Sequence, residues 1–216
     1  TGYGRVECDK DDRVRRIVEH RDADAEQRAI DEVNTAIYVF RRSLLAPALR
    51  RLTPDNTQGE LYVTDVVEVL ADAGHLVIGV PAGDADEAHG VNDRVQLAAA
   101  EAELRRRIND GWLRAGVTIV DPATTYIDAT VELGQDVTIW PGSLLTGDTR
   151  VGAGSEVGPA TQLVDSTVGE DAQVLRTVAR QARVGDGAVV GPFASLGSGA
   201  EVGPGGRTGP FYAAGV

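Results

Sequence analysis

Polar residues with the chemistry to bind a ligand occur at four places in the first 93 residues. They are Gly4 in Thr1-Gly2-Tyr3-Gly4-Arg5, Glu19 in Ile17-Val18-Glu19-His20, Asn34 in Glu32-Val33-Asn34-Thr35, and Asn92 in Gly90-Val91-Asn92-Asp93. A glycine lets the backbone approach a ligand closely, and carboxylate and amide groups hydrogen-bond polar ligands. An amide oxygen is also the kind of hard ligand that Mg²⁺ takes in proteins.

Each of these residues also has an ordinary structural interpretation. Gly4 taken alone indicates a turn, and Glu19 after a strand is usually a solvated charge. Asn34 inside an apolar strand is usually a satisfied polar contact, and Asn92 most simply caps a helix. One at a time, the four residues favour these structural roles.

Two further candidates are weaker. His89 lies near Asp86 and Glu87, but such clusters on loops are usually solvated surface, so metal binding is the minor alternative. Cys8 lies among charged residues without a nearby base, so we do not expect it to act as a nucleophile.

The segment that carries these residues alternates strand and helix patterns. Strands are predicted at Val14–Val18, Val33–Phe40 and His75–Val80, and the second is apolar almost throughout, as in a strand buried on both faces. Together with the helices between them they predict a sheet flanked by helices. There are too few strands for a complete doubly wound domain.

Two short helices are predicted between the strands. Ser43 is positioned to cap a helix over residues 44–52. A second helix begins at Thr64-Asp65 and ends at Gly74, where a glycine supplies the left-handed conformation that commonly follows a helix.

A longer amphipathic helix is predicted from Asn92 or Asp93 to about Ala115, and Gly116 ends it. Its apolar residues fall near one face: Leu97, Leu104, Ile108 and Trp112. We interpret it as a stiff connector whose apolar face packs on neighbouring parts of the same chain.

The residue pattern of the sequence changes near residue 130, where small aliphatic residues begin to recur about every six positions. These anchors are Leu133, Ile139, Leu145, Val151, Val157, Leu163, Val168, Val174, Ala179, Val184, Val190, Leu196 and Val202. A hexapeptide period predicts a parallel β-helix in which the anchors stack inward. The spacing predicts coils of roughly 17 to 18 residues, about four in all. We expect the glycines after many anchors to supply positive φ at corners.

Composition excludes several functional classes. The net charge of −12 argues against a nucleic-acid surface, because like charges repel over a Debye length. No apolar run is long enough to span a membrane. The single cysteine is compatible with a reducing cytoplasm. The chain contains no methionine and begins Thr1-Gly2, so we expect it to be a piece of a longer protein.

The four motifs above, with Gln58-Gly59-Glu60-Leu61-Tyr62-Val63-Thr64-Asp65 and Asp121-Pro122-Ala123-Thr124-Thr125, occur in an order that resembles one family. It is the bifunctional bacterial enzyme N-acetylglucosamine-1-phosphate uridyltransferase / glucosamine-1-phosphate N-acetyltransferase. The resemblance implies that Gly4, Glu19, Asn34 and Asn92 bind UDP-N-acetylglucosamine. It further implies that Asn92 helps to hold Mg²⁺.

The resemblance also implies an architecture. Residues 1–93 would be the C-terminal half of an α/β (Rossmann-like) nucleotidyltransferase domain, 94–118 a connector helix, and 119–216 the first coils of a left-handed parallel β-helix of hexapeptide repeats. The family assembles as a homotrimer through its β-helices and acts in the cytoplasm. Its substrates are UTP, N-acetylglucosamine 1-phosphate, glucosamine 1-phosphate and acetyl-CoA.

No catalytic residue is carried over onto this chain. In the family, the glycine-rich nucleotide loop and a metal-binding aspartate lie upstream of Thr1. The acetyl-transfer histidine has no counterpart, because His20, His75 and His89 all precede the β-helix. Gly197 and Gly215 stand where the family has basic residues. We therefore expect this chain alone to be inactive, and uridyl transfer above background would contradict that.

Two alternatives remain. One is a different sugar-nucleotide pyrophosphorylase with a β-helix tail, which pocket residues upstream would distinguish. The other is a non-catalytic interaction protein that kept the scaffold and lost both sites. Gly197 and Gly215 favour this second alternative, and the set of Glu19, Asn34 and Asn92 speaks against it.

Overall fold

The computed structural model describes residues 2–215, which divide into two compact units between Gly90 and Val91. The elements of the first unit are β1 (Arg5–Cys8), β2 (Val14–Val18), α1 (Ala25–Arg28), α2 (Arg42–Leu49), α3 (Asp65–Asp72) and a 3₁₀ turn at Ala85–Ala88. Strands β1 and β2 pair antiparallel, with Val6 opposite Ile17. Helix α3 packs on β2, where Val14, Ile17 and Val67 form a small core.

Two predicted strands of the first unit are wrong. Within Val33–Phe40 only Val33 makes a bridge, to Arg5, and Val39 is 99% exposed. Ala36 interrupts the extended backbone with φ of 60°. His75–Val80 is likewise not a strand, although the Val14 N–H donates to the Val77 carbonyl at 3.1 Å. Apolar composition predicts burial, but a strand forms only where a neighbouring strand takes its hydrogen bonds.

The two short helices are confirmed, with one correction. Helix α2 begins at Arg42 rather than after Ser43, because the Arg41 carbonyl accepts the Leu44 N–H at 2.9 Å and the Leu45 N–H at 3.2 Å. Helix α3 follows Thr64, and Gly74 lies just beyond it with φ of 80°, as predicted. Helices α2 and α3 share a second apolar cluster around Ala48, Val66 and Leu70.

The second unit begins with α4 (Arg94–Arg114), whose first turn is capped by the Asp93 carboxylate accepting the Gln96 N–H at 2.8 Å. Its strands are β3 (Thr118–Ile119), β4 (Tyr126–Ile127), β5 (Glu132–Leu133), β6 (Thr138–Ile139), β7 (Leu144–Thr146), β8 (Arg150–Val151), β9 (Glu156–Val157), β10 (Gln162–Val164), β11 (Thr167–Val168), β12 (Gln173–Val174), β13 (Val178–Arg180), β14 (Arg183–Val184), β15 (Val189–Val190), β16 (Ser195–Leu196), β17 (Glu201–Val202) and β18 (Ala213–Ala214). No helix within residues 2–215 is both long and apolar enough to cross a bilayer.

These strands form three parallel sheets, which are the three sides of a β-solenoid. The sheets are β4-β7-β10-β13-β16-β18, β5-β8-β11-β14-β17 and β3-β6-β9-β12-β15. Ile127 pairs with Leu145 and Leu163 with Ala179, so one coil takes 18 residues and another 16. The solenoid includes Ile119 and Ile127, which lie upstream of the first predicted anchor. It therefore has about five coils rather than four.

The anchors themselves are confirmed. All of them are buried in one continuous core except Leu133, which is half-buried against it. Helix α4 packs Ile108 and Trp112 onto the same core, so the prediction that its apolar face contacts the same chain is confirmed for these two residues. Leu97 and Leu104, which were predicted on the same face, are exposed.

A second buried position lies two residues before each anchor, and the period-six pattern did not predict it. Its members are small: Val131, Val137, Ser143, Thr149, Ser155, Thr161, Ser166, Ala172, Thr177, Ala182, Ala188, Ala194 and Ala200. The buried hydroxyls bond to backbone, often of the next coil. Ser155 Oγ, for example, donates to the Gly169 carbonyl at 2.7 Å and accepts the Ala172 N–H at 2.9 Å.

Several glycines after anchors are required for a different reason than predicted. Gly134, Gly152 and Gly185 do not have positive φ. A Cβ on any of them would lie 2.5 Å from a backbone atom of the next coil. Glycine is therefore needed at this corner because the coils approach too closely for a side chain.

Candidate functional site

Gly4, Glu19 and Asn34 lie together in the first unit. The Asn34 N–H donates to the Gly4 carbonyl at 2.9 Å, and a Cβ on Gly4 would lie 3.6 Å from Glu19 Oε2. The same Cβ would lie 3.0 Å from Ile17 Cγ2, so a side chain at Gly4 would press on the core. Three residues predicted from separate motifs thus form one constellation.

Hydrogen bonds to both the backbone and the side chain of Glu19 fix its orientation. It directly follows β2, and its carbonyl accepts the N–H groups of Asp22 at 2.9 Å and Ala23 at 3.0 Å. Its Oε1 accepts the hydroxyl of Thr64 at 3.0 Å. Sequence reasoning missed this role of Thr64, since a threonine before a helix is ordinarily taken as its cap. Here the hydroxyl makes no cap hydrogen bond.

Asn34 is held by its neighbours in the chain. Its Oδ1 accepts the Ala36 N–H at 3.1 Å, which forms a tight local turn. Tyr38, four residues further along the chain, is half-buried. Burial raises the pKa of the Tyr38 hydroxyl, the Asn34 side chain offsets part of this, and the negative charge of Glu19 adds to it. The Tyr38 hydroxyl is therefore within electrostatic reach of Asn34 and Glu19.

The turn at Asn34 contains backbone strain. Ala36 has φ of 60°, a region that costs an L-residue other than glycine about 1 kcal/mol or more. Relief of this strain in Ala36→Gly should raise the free energy of unfolding of the first unit. We expect a gain of only about 0.5 kcal/mol, because the greater freedom of glycine in the unfolded chain offsets part of it. Hydrogen exchange of first-unit amides measures this. A destabilised variant would contradict it.

Acidic groups near Glu19 shape its electrostatics. Hydrogen bonds from Thr57 lower the pKa of Asp22, with a further contribution from Tyr62. Burial raises the pKa of Asp65, and the charges of Glu68, Glu19 and Asp22 add to it. The region is electronegative, so it favours neutral hydroxyl and amide groups over a bare phosphate.

Asn92 belongs to the second unit and is exposed. The interpretation that it caps α4 is wrong, because Asp93 does so, while the Asn92 N–H donates to Gln96 Oε1 at 2.6 Å. The side-chain amide of Asn92 is thus not used in capping. Residues 2–215 contain no group of three or more His, Cys, Asp or Glu side chains placed to hold a metal. Asn92 fits Mg²⁺ only as one hard ligand beside water and phosphate.

The weaker candidates remain on the surface. His89 Nδ1 lies 3.4 Å from Asp86 Oδ1, and both side chains are exposed. Partial burial raises the pKa of the Cys8 thiol, and the charges of Glu32, Asp12 and Asp9 raise it further. A raised pKa lowers the fraction of reactive thiolate.

Gly197 and Gly215, at the positions where the family has basic residues, lie in the solenoid. The Gly197 N–H donates to the Ala214 carbonyl at 2.8 Å, so the two glycines lie on adjacent coils. Gly215 has φ of 66°, and a Cβ on it would lie 2.9 Å from the Gly197 carbonyl oxygen. A basic side chain could not be placed at Gly215 without a local rearrangement.

The three parallel sheets and the six-residue repeats define the second unit as a parallel β-solenoid of the hexapeptide-repeat class. No family model matches the chain. Two solved structures overlap it only in part. Perosamine N-acetyltransferase from Caulobacter crescentus, with CoA and GDP-perosamine, has 17% identity and a TM-score of 0.33, covering 52% of this chain and 59% of its own. A hexapeptide transferase family protein from Anaplasma phagocytophilum has 18% identity and a TM-score of 0.27, covering 45% and 72%.

Over most of its length this chain is similar to bifunctional protein GlmU, which confirms the resemblance inferred from the motifs. The protein of Corynebacterium glutamicum (strain ATCC 13032) is 50% identical over 193 residues, or 89% of this chain and 40% of the relative. That of Mycolicibacterium gilvum is 52% identical over 196 residues, or 91% and 39%. That of Caldanaerobacter subterraneus is 45% identical over 196 residues, or 91% and 43%. The chain spans about two fifths of the length of these relatives.

Proposed function

We propose that this chain is part of a bifunctional transferase that makes UDP-N-acetylglucosamine in the cytoplasm. The supporting observation is the meeting of Gly4, Glu19 and Asn34, with relatives about 50% identical over nine-tenths of the chain. In the complete enzyme, acetyl-CoA would acetylate glucosamine 1-phosphate, and UTP would then react with N-acetylglucosamine 1-phosphate.

In this proposal the first unit contributes the sugar-binding side of the uridyl-transfer site. The Gly4 backbone lets the ligand approach, Glu19 accepts hydrogen bonds from sugar hydroxyls, and Asn34 pairs with the acetamido group. Glu19 Oε1 accepts the Thr64 hydroxyl, and Oε2, the carboxylate oxygen near Gly4, is the acceptor proposed for the sugar. Asn92 would be one ligand of Mg²⁺, which neutralises phosphate charge when bound.

The finer architecture is part of the same proposal. The first unit would be the C-terminal part of a Rossmann-like nucleotidyltransferase domain, and the solenoid would be left-handed. Helix α4 would connect the two, with boundaries near residues 93 and 118. The extended, exposed apolar segments around Val39 and Ile78 are consistent with an incomplete sheet.

Ligand titration tests the sugar-binding role. We expect UDP-N-acetylglucosamine to bind the chain, and Glu19→Gln and Asn34→Ala each to weaken it about tenfold, the value of one or two hydrogen bonds. Glu132→Gln, on the exposed solenoid surface, is the control and should bind like the parent. Unchanged affinity in both site variants, measured by calorimetry, would overturn the proposal.

We also propose that the solenoid self-associates as a homotrimer through its six-stranded side. The first residues of that side's strands are uncharged: Tyr126, Leu144, Gln162, Val178, Ser195 and Ala213. At an adjoining corner, Phe193 and Phe211 stack with ring centroids 5.3 Å apart and remain exposed. The β5-β8-β11-β14-β17 side instead presents Glu132, Arg150, Arg183 and Glu201. Arg180 is the one charged residue within the strands of this side, so copies of a −12 chain approach here with little repulsion.

Sedimentation equilibrium tests the trimer. Val178→Glu places a charge on the six-stranded side and should give monomers, whereas Thr167→Glu makes the same change on the charged side and should not. A parent chain that sediments as a monomer would contradict the proposal.

A further inference from the structure

Thr64 stands where helix α3 begins, but its side chain does not serve the helix. A residue that caps a helix with its side chain normally has an extended backbone, whereas Thr64 has φ of −61° and ψ of −30°. Its hydroxyl makes no cap hydrogen bond and instead donates to Glu19 Oε1 at 3.0 Å, across 45 residues of sequence. Thr64 is 4% exposed, so this hydroxyl is held away from bulk water. These observations indicate a role outside the helix.

The place of the Thr64 hydroxyl is set by the helix that follows it. Val66 and Val67 are buried in the two apolar clusters of the first unit. The Val67 N–H donates to the Thr64 carbonyl at 3.1 Å. A hydroxyl presented from the first turn of a packed helix has a defined position, so it can hold a more mobile group.

The mobile group is the Glu19 carboxylate. The backbone of Glu19 is already fixed, because the Asp22 N–H donates to its carbonyl at 2.9 Å and Asp22 Oδ1 accepts the Thr57 N–H at 3.0 Å. The side chain beyond it has three rotatable bonds, and ordering such a side chain costs conformational entropy. The hydrogen bond from Thr64 meets this cost before a ligand arrives.

Nearby charge makes the restraint necessary. Burial raises the pKa of Asp65, which follows Thr64 in the chain, and the charges of Glu68, Glu19 and Asp22 raise it further. Glu19 and Asp65 are thus close enough to repel each other when both are ionised. The neutral hydroxyl of Thr64 donates to Glu19 without adding charge.

We propose that Thr64 is a positioning residue, whose hydroxyl holds Glu19 Oε1 so that Oε2 stays beside Gly4 as an acceptor for a ligand hydroxyl. The inference rests on the proposed function. A Cβ on Gly4 would lie 3.6 Å from Oε2, which places this oxygen at the site. The two oxygens of a carboxylate rotate together, so fixing Oε1 also fixes Oε2. Thr64 acts through Glu19 and does not itself touch the ligand.

The experiment is a calorimetric titration of the whole chain with UDP-N-acetylglucosamine. Thr64→Val keeps the shape of threonine without the hydroxyl, and we expect it to bind about tenfold more weakly. Thr64→Ser keeps the hydroxyl and should bind like the parent. Thr53→Val makes the same change at an exposed position and is the matched control.

Hydrogen exchange separates positioning from a structural role. Because no cap hydrogen bond is lost, the α3 amides of Thr64→Val should exchange at the rates of the parent. A merely structural role of Thr64 predicts faster exchange in α3 with affinity unchanged, and that result would overturn the inference.

A second background tests whether Thr64 acts through Glu19. In a Glu19→Ala chain, Thr64→Val should weaken binding no further. If it still weakens binding about tenfold there, the hydroxyl contacts the ligand directly and the positioning role is wrong.

The proposed function can survive the failure of this inference. If Glu19→Gln weakens binding and Thr64→Val does not, the inference is wrong and the proposed function stands. If the parent chain does not bind UDP-N-acetylglucosamine, the proposed function fails and the inference fails with it.

Discussion

Asn109→Asp is expected to lower the free energy of unfolding of the second unit by about 3–5 kcal/mol at neutral pH, the cost of an uncompensated buried charge. Asn109 on α4 is fully buried, and its Nδ2 donates to the carbonyls of Pro122 at 3.0 Å and Thr125 at 3.2 Å. A carboxylate would turn both attractions into repulsions. Urea unfolding followed by tryptophan fluorescence measures the loss, since Trp112 and Trp140 both lie in this unit.

The pH dependence of this variant identifies the cause. Burial raises the folded-state pKa of the new carboxyl above its ordinary value of about 4. The cost of the buried charge is therefore absent below the pKa of this carboxyl in the unfolded chain. It develops as the pH rises toward the pKa of the carboxyl in the folded chain. Asn109→Leu is the control, expected to cost about 2 kcal/mol for two carbonyls left without donors, with no such pH dependence. Equal pH profiles of the two variants would refute the charge argument.

Gly152→Ala is expected to destabilise the second unit by about 3 kcal/mol, the upper range for overpacking. The added Cβ would lie 2.5 Å from the Gly169 carbonyl carbon and 2.7 Å from the Glu170 nitrogen, both backbone atoms that cannot rotate away. The clash is between two neighbouring coils, so their stacked strands must move apart locally to accept the added methyl group.

Gly203→Ala is the matched control for this change. Gly203 also follows an anchor, but a Cβ there would meet no atom within 4 Å. We expect its unfolding midpoint in urea to lie close to that of the parent. If the two alanine variants unfold alike, close coil approach is not what requires glycine at this position.

The solenoid was predictable because its anchors report a local, repeating contact. Each anchor, such as Val157 or Val174, stacks on equivalents one coil away, so a period in the sequence is a period in the core. The second buried position was not predictable in the same way. Ser155 and Thr161 do not resemble core residues, and their burial depends on backbone partners that only the coiled structure supplies.

The first unit shows where sequence patterns stop being informative. Apolar runs at Val33–Phe40 and His75–Val80 predicted strands, yet pairing is decided by partners distant in sequence. Motif order predicted Gly4, Glu19 and Asn34 as ligand residues, but only the fold shows that Asn34 and Glu19 both lie beside Gly4. Thr64 carried no distinguishing signal, because its significance is a hydrogen bond to another predicted residue.

Helix α4 has a consequence for aggregation. A solenoid ends in unpaired strands, and an exposed strand edge can recruit the edge of another molecule into a fibre. Because α4 lays Ile108 and Trp112 over the first coil and fixes it through Asn109, that end is closed to such recruitment. Stacking of solenoids end to end is thereby blocked at this terminus, and the helix acts as a chain stopper as well as a connector.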